Sequence, residues 1–63
     1  MSMLTTKAEL LIDMIEADAP YSADAFLSVQ RELIEHIGKH GGKREIDLAY
    51  RLADAHLRKL MNA

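Results

Sequence analysis

The chain has no cysteine and no tryptophan, a single proline, three glycines, and only two tyrosines and one phenylalanine among its 63 residues. Without cysteine it forms no disulfide bond, and the thiolate-based structural zinc sites are excluded. So few aromatic rings do not make a stacking platform for single-stranded nucleic acid. The longest apolar run covers residues 10–12, far short of the roughly 20 residues that span a bilayer. Stability must therefore come from helix packing or from oligomerisation.

The length and charge indicate a single small domain over residues 1–63. A chain of this size buries only about 60% of its unfolded surface, which leaves a monomer marginally stable. The net charge of −2 gives no overall field that would attract nucleic acid or an anionic membrane. Asp13 and Glu16 interrupt the first apolar segment, so the pattern of a secretory signal is missing. We expect a cytoplasmic protein.

Apolar residues recur with the period of an α-helix in three segments, at about residues 6–19, 22–40 and 43–61. Residues 36–44 hold all three glycines, and this stretch reverses the chain between the second and third segments. The pattern predicts an all-α fold in which a short helix precedes a helical hairpin. We expect this unit to pack as a dimeric helical bundle.

The ends of the predicted helices have capping signals. Thr6 and Glu9 have the spacing of a capping box, which predicts the start of the first helix. Pro20 predicts its end, because proline disfavours helical geometry in the residue before it. Ser22 is a natural N-cap for the second helix, and Gly41 is expected to end that helix in a left-handed conformation.

Two side-chain pairs are predicted on the second helix. Tyr21 is placed to pack on Phe26 as a hydrophobic staple. Arg31 and Glu35 are spaced as an i,i+4 ion pair on the solvent side, which would stabilise the helix by roughly 0.2–0.5 kcal/mol.

The third predicted helix has more apolar surface than a three-helix protein needs. Its polar strip alternates in sign: Arg44, Asp47, Arg51, Asp54 and Arg58. One apolar stripe consists of Ile46, Ala49, Tyr50, Ala53, Leu57 and Leu60. A second stripe beside it consists of Leu48, Leu52 and Ala55. The width predicts that one face of this helix is left for another chain.

This surplus leads to the main functional hypothesis, because large exposed apolar patches are unusual on soluble monomers. We expect a small regulatory or adaptor protein that acts by protein–protein interaction, as a homodimer that also binds another protein. The small side chains of Ala49, Ala53 and Ala55 permit close helix approach, so the main packing seam is predicted along them. The anchors of the interface are predicted at Leu48, Leu52 and Ala55, with Leu10 and Met14 of the first helix beside them.

The turn between the second and third helices suggests an alternative. Lys39, His40, Lys43 and Arg44 surround two glycines just before a helix N-terminus, where free backbone amides favour anions. This set is a candidate site for an anion or for nucleic acid, which would make the chain a nucleic-acid-binding regulator. A solvated turn with no ligand is the other interpretation. The glycine spacing is not that of a phosphate-binding Walker loop.

The histidines give no strong site. Glu32, His36 and His40 are one turn apart and could in principle face a transition metal, but histidines at an exposed helix end also suit the helix dipole. His56 is either a phosphoacceptor or, more simply, a half-buried packing residue. We therefore predict no metal, no cofactor, no catalytic residue and no enzymatic activity.

Overall fold

The computed structural model describes residues 3–62, and these residues form three helices with no strand. The helices are α1 (Met3–Glu16), α2 (Ala23–His40) and α3 (Lys43–Met61). They pack against one another in an elongated bundle of 35 × 19 × 18 Å. The predicted all-α fold with a terminal hairpin is confirmed. No helix in the described part of the chain combines the length and apolar character needed to cross a bilayer.

The predicted start of α1 is wrong. The chain is already helical before Thr6, so Thr6 lies inside the helix and does not cap it. The reason is tertiary packing: Leu4 contacts the core, and Thr5 is buried. These contacts stabilise an additional helical turn before the position at which the capping signal placed the start of the helix.

The end of α1 also differs from the prediction, because a Schellman motif ends the helix before Pro20 is reached. The Asp18 amide donates to the Ile15 carbonyl (3.1 Å), and the Ala19 amide donates to the Met14 carbonyl (2.9 Å). Asp18 has φ 62°, the one positive value at a non-glycine residue within residues 3–62. The motif satisfies the last free carbonyls of the helix, so the helix ends without help from the proline.

The ends of α2 follow the sequence closely. The Ser22 hydroxyl accepts a hydrogen bond from the Ala25 amide (3.0 Å), which confirms the N-cap. The Gly41 amide donates to the Ile37 carbonyl (2.8 Å), with φ 67° and ψ −149°. The positive φ was predicted, but the ψ value is extended and not helical. Gly42 follows with φ 117°, and these two glycines turn the chain into an antiparallel helix hairpin.

A single core lies along the axis of the bundle and receives side chains from every helix. Its buried members are Ala8, Leu11, Ile12 and Ile15 of α1, Val29 and Leu33 of α2, and Leu48, Leu52 and Ala55 of α3. α3 is therefore part of the bundle through its narrow second stripe.

The second apolar stripe of α3, where the interface is predicted, is buried within the chain. Leu48 and Leu52 are 1% and 0% exposed, and Ala55 is also buried. They belong to the core shared with α1 and α2, so their side chains are not on the surface of the bundle. Leu10 and Met14, predicted beside them, are exposed on the back of α1, which is the side away from the core.

Candidate functional site

The stripe of α3 that points outward has the spacing of a coiled-coil seam. Its members follow one another at intervals of four, three, four and three residues: Ile46, Tyr50, Ala53, Leu57 and Leu60. Apolar residues at such intervals keep one helix in contact with a partner helix along its whole length. The large members of this stripe are exposed, so the chain presents a helix-docking seam to solvent.

A second row of exposed apolar side chains on α2 lies next to this seam. The Gln30 side-chain amide donates to the Ala49 carbonyl of α3 (3.3 Å), which marks where the two helices touch. Leu27 and Ile34 are three residues before and four residues after Gln30, so they lie on the same side of α2. Ala53 has the corresponding position relative to Ala49 on α3. The two rows therefore border the same contact from the solvent side.

Together the rows form one surface, here called the α2–α3 face. Its large apolar members are Leu27, Ile34, Ile46, Tyr50, Leu57 and Leu60, and they are between 40% and 75% exposed. A shallow cleft of about 260 Å³ runs along its α2 edge, between Leu27 and Ile34. The sequence analysis named the α3 residues of this face as one of two apolar stripes but placed the interface on the other stripe. The regular spacing was the signal that could have identified them.

A polar group lies beneath this face. The Gln30 side-chain oxygen is buried and, within residues 3–62, has no hydrogen-bond partner. Leaving a buried acceptor unpaired costs about 1–3 kcal/mol. Gln30 therefore joins α2 to α3 through one bond at a cost in stability.

Charged side chains line the outer edges of the face. Arg31 and Glu35 lie on the α2 edge, but the ion pair predicted between them is not formed in the described residues. On the α3 edge, the Asp47 carboxylate lies 4.0 Å from its own-helix partner Arg51. These edges contain charges that the chain itself pairs poorly or not at all.

Tyr21 and Phe26, which were predicted to pack on each other, both contact the ring of His56. The Tyr21 hydroxyl lies 2.6 Å from Nδ1 of His56, and the Phe26 ring stacks on the same imidazole at 4.0 Å between centroids. His56 is half-buried and has one ring nitrogen engaged. This arrangement supports its interpretation as a packing residue.

The structure does not gather the basic residues of the hairpin turn into one site. Arg44 pairs with Glu9 of α1. The His40 ring lies against the His36 ring, with 5.0 Å between the ring centroids. The Glu45 side chain lies against Gly42, the residue that caps α3, so a carboxylate already occupies the helix N-terminus. Lys39 and Lys43 form no ion pair in the described residues. The anion site at this turn stays a prediction, and fewer cations are available to it than the sequence suggested.

No metal centre is formed by the histidines. His36 Nε2 lies 4.0 Å from a Glu45 carboxylate oxygen, while His40 is in ring contact with His36. Across residues 3–62, no three His, Cys, Asp or Glu side chains converge closely enough to hold a metal ion.

Another cleft, of about 680 Å³, lies where the C-terminal ends of α1 and α3 meet, and sequence reasoning did not identify it. Four of its five charged side chains are paired: Asp18 with Lys59, and Asp54 with Arg58 at 3.1 Å. Glu16, which also lines the cleft, has no ion pair within residues 3–62, so a single carboxylate is left for a ligand. The α2–α3 face is therefore the better candidate site.

Comparison with protein-family models, with curated proteins and with solved structures gives no match for this chain. The function of the chain must therefore be inferred from its own residues.

Proposed function

We propose that this chain is a small regulatory or adaptor protein that acts by protein–protein interaction, and that it forms a homodimer through the α2–α3 face. The main observation is that the six large apolar side chains of this face are at least 40% exposed on one side of the bundle. Contiguous exposed apolar surface of this kind marks protein interaction sites.

The amount of exposed surface supports the proposal. The chain exposes 4561 Å², against about 4,100 Å² expected from its mass. Its elongated shape, with one axis nearly twice the others, produces part of this excess. Each Å² of apolar surface removed from water contributes about 25 cal/mol. Association would therefore stabilise a domain whose own core is small.

The charge pattern favours a protein partner over nucleic acid. Each arginine in the C-terminal half of the exposed polar strip of α3 has an aspartate beside it on the same helix: Asp54 lies 3.1 Å from Arg58, and Asp47 lies 4.0 Å from Arg51. Arg44 is paired with α1. Binding to phosphates needs unpaired cations grouped on one surface. Of the basic residues at the hairpin turn, only Lys39 and Lys43 are left for the nucleic-acid alternative.

The lack of cysteine agrees with a reducing, cytoplasmic location.

Sedimentation velocity over a range of micromolar concentrations tests the proposal. Leu57→Glu places a charge within the seam, and we expect it to convert the dimer to a folded monomer, because Leu57 is 56% exposed and outside the core. The matched control is Leu10→Glu on the back of α1, where the side chain is 59% exposed. The control should leave the dimer intact.

Two results would count against the proposal. A wild-type chain that stays monomeric at all concentrations and unfolds in one cooperative transition would overturn it. Dissociation by Leu10→Glu in place of Leu57→Glu would move the interface to α1, beside Met14, the two residues that the sequence predicted at the border of the interface.

A further inference from the structure

We infer that the surface covering the α2–α3 face is the same face of a second copy, related by a two-fold axis parallel to the hairpin. In this arrangement α3 of each copy packs against α2 of the other, and four helices surround a new apolar layer. The inference rests on the proposed dimerisation and adds its geometry. Two-fold dimers that use one patch on both subunits are the commonest oligomers.

The positions of four apolar residues along the helix axes, here called their heights, fit this arrangement. Because α2 and α3 are antiparallel and Gln30 lies opposite Ala49, Ile34 is level with Ile46, and Leu27 is level with Ala53. An axis parallel to the helices keeps every residue at its height while exchanging the two helices. Ile34 then meets the partner's Ile46, and Leu27 meets the partner's Ala53. The second contact places a large side chain against a small one, which lets the layers interdigitate.

The charged edges of the face are complementary under the same symmetry. On α3, Lys43 and Asp47 are three residues before Ile46 and Tyr50, so they lie beside the seam on the edge away from α2. On α2, Arg31 and Glu35 occupy the opposite edge. The two-fold axis brings these edges together at matching heights. Arg31 meets the partner's Asp47, and Glu35 meets the partner's Lys43.

The alternative two-fold axis, perpendicular to the helices, would place each edge of the face against the same edge of the partner, with positions along the helix reversed. Because the polar strip of α3 alternates in sign, the pairing would depend on where the axis crosses the helix. An axis level with Tyr50 and Arg51 would place Asp47 against the partner's Asp54, and like charges in contact repel. The axis parallel to the hairpin fixes these positions by symmetry, so opposite charges meet without such a dependence.

The pairing of these residues within one chain agrees with this choice. Within residues 3–62, Arg31, Glu35 and Lys43 form no ion pair. The contact of Asp47 with Arg51 is long at 4.0 Å, whereas Arg58 and Asp54 approach to 3.1 Å. The four groups that would meet across the interface are thus available to a partner.

A two-fold dimer has to use the whole α2–α3 face and its charged edges. Helices of 18 and 19 residues are about 27 Å long, and at about 10 Å of width each they present about 500 Å² in projection. A standard interface buries about 800 Å² on each partner. The projected area is below this value, so side-chain relief and the charged edges must supply the rest.

Charge reversal at one edge tests the arrangement in the intact 63-residue chain. Arg31→Glu and Asp47→Arg should each weaken the homodimer about tenfold or more, because two attractive pairs per dimer become repulsive. Mixing the two variants should restore near wild-type affinity, since the carboxylate introduced in one variant then faces the guanidinium introduced in the other. Asp13→Arg on α1, an exposed site outside the face, is the control for the change in net charge.

The outcomes separate this inference from the proposed function. A wild-type dimer whose dissociation constant is unchanged by both reversals overturns the arrangement and leaves dimerisation standing. A strengthened Asp47→Arg homodimer points to the perpendicular axis and also overturns it. A monomeric wild type overturns dimerisation itself. Preferred formation of the mixed dimer, weakened by added salt, supports the inference.

Discussion

The Tyr21 hydroxyl lies 2.6 Å from Nδ1 of His56, a contact between residues 35 positions apart in the chain. Tyr21 precedes α2, and His56 belongs to the last half of α3. A neutral histidine with its proton on Nε2 accepts this hydrogen bond at Nδ1. Phe26 covers one face of the same imidazole. The three rings therefore attach the first turn of α2 and the preceding loop to α3.

Removing the Tyr21 hydroxyl should reduce stability measurably. Tyr21→Phe keeps the ring and deletes the hydrogen bond, so we expect a loss of about 0.5–1.5 kcal/mol in the free energy of unfolding. In a domain of this size each kcal/mol corresponds to about 4–8 °C in melting temperature. Tyr50→Phe is the control, because the Tyr50 side chain is exposed. Both variants are compared at a concentration low enough to keep the chain monomeric, since Tyr50 belongs to the α2–α3 face. Equal melting temperatures for both variants would show that the bond to His56 contributes nothing.

The backbone at Asp18 predicts an unusual order of substitutions. Asp18→Gly and Asp18→Ala both remove the ion pair with Lys59, so their difference reports the cost of the left-handed conformation, reduced by the larger unfolded-state entropy of glycine. Glycine adopts φ 62° without strain, whereas alanine is destabilised there by about 1–2 kcal/mol. We expect the glycine variant to melt several degrees above the alanine variant by circular dichroism. Identical melts would contradict the Schellman motif.

Local signals explain most of what the sequence predicted correctly. Ser22 caps α2 through its own hydroxyl, and Gly41 turns the chain through its own backbone freedom. The start of α1 was predicted incorrectly because it depends on contacts of Leu4 and Thr5 with residues distant in the sequence. A capping pattern alone does not contain that information.

The sequence could predict that α3 carries surplus apolar surface, but not which of its two stripes is exposed. The sequence showed that α3 has two apolar stripes, and the excess of apolar surface was correctly recognised. The choice between Leu52 and Leu57 as the buried leucine is not local, since both residues have the helical spacing of a core position. It depends on where α1 packs, and α1 packs over the Leu52 side.

Gln30 offers a test of how the α2–α3 contact is stabilised. Gln30→Met removes the unpaired buried oxygen and retains most of the volume, so we expect unchanged or higher stability, by up to about 1 kcal/mol. Gln30→Glu introduces a charge at the same place and should destabilise by roughly 1–3 kcal/mol. Chemical denaturation at a fixed protein concentration measures both. A large loss in the methionine variant would mean that the bond to the Ala49 carbonyl outweighs the unpaired oxygen.

Two leucines one stripe apart give the most direct test of the orientation of α3. Leu52→Ala opens a cavity in the core and should cost about 2–5 kcal/mol, enough to unfold a marginal 63-residue domain. Leu57→Ala deletes the same atoms from an exposed position. It should therefore leave the unfolding of the monomer within about 0.5 kcal/mol of wild type while weakening association. The measurements are denaturant unfolding at low concentration and sedimentation at high concentration. If Leu57→Ala unfolds the chain and Leu52→Ala only weakens the dimer, α3 is rotated relative to the structure, and the interface predicted at Leu48, Leu52 and Ala55 is restored.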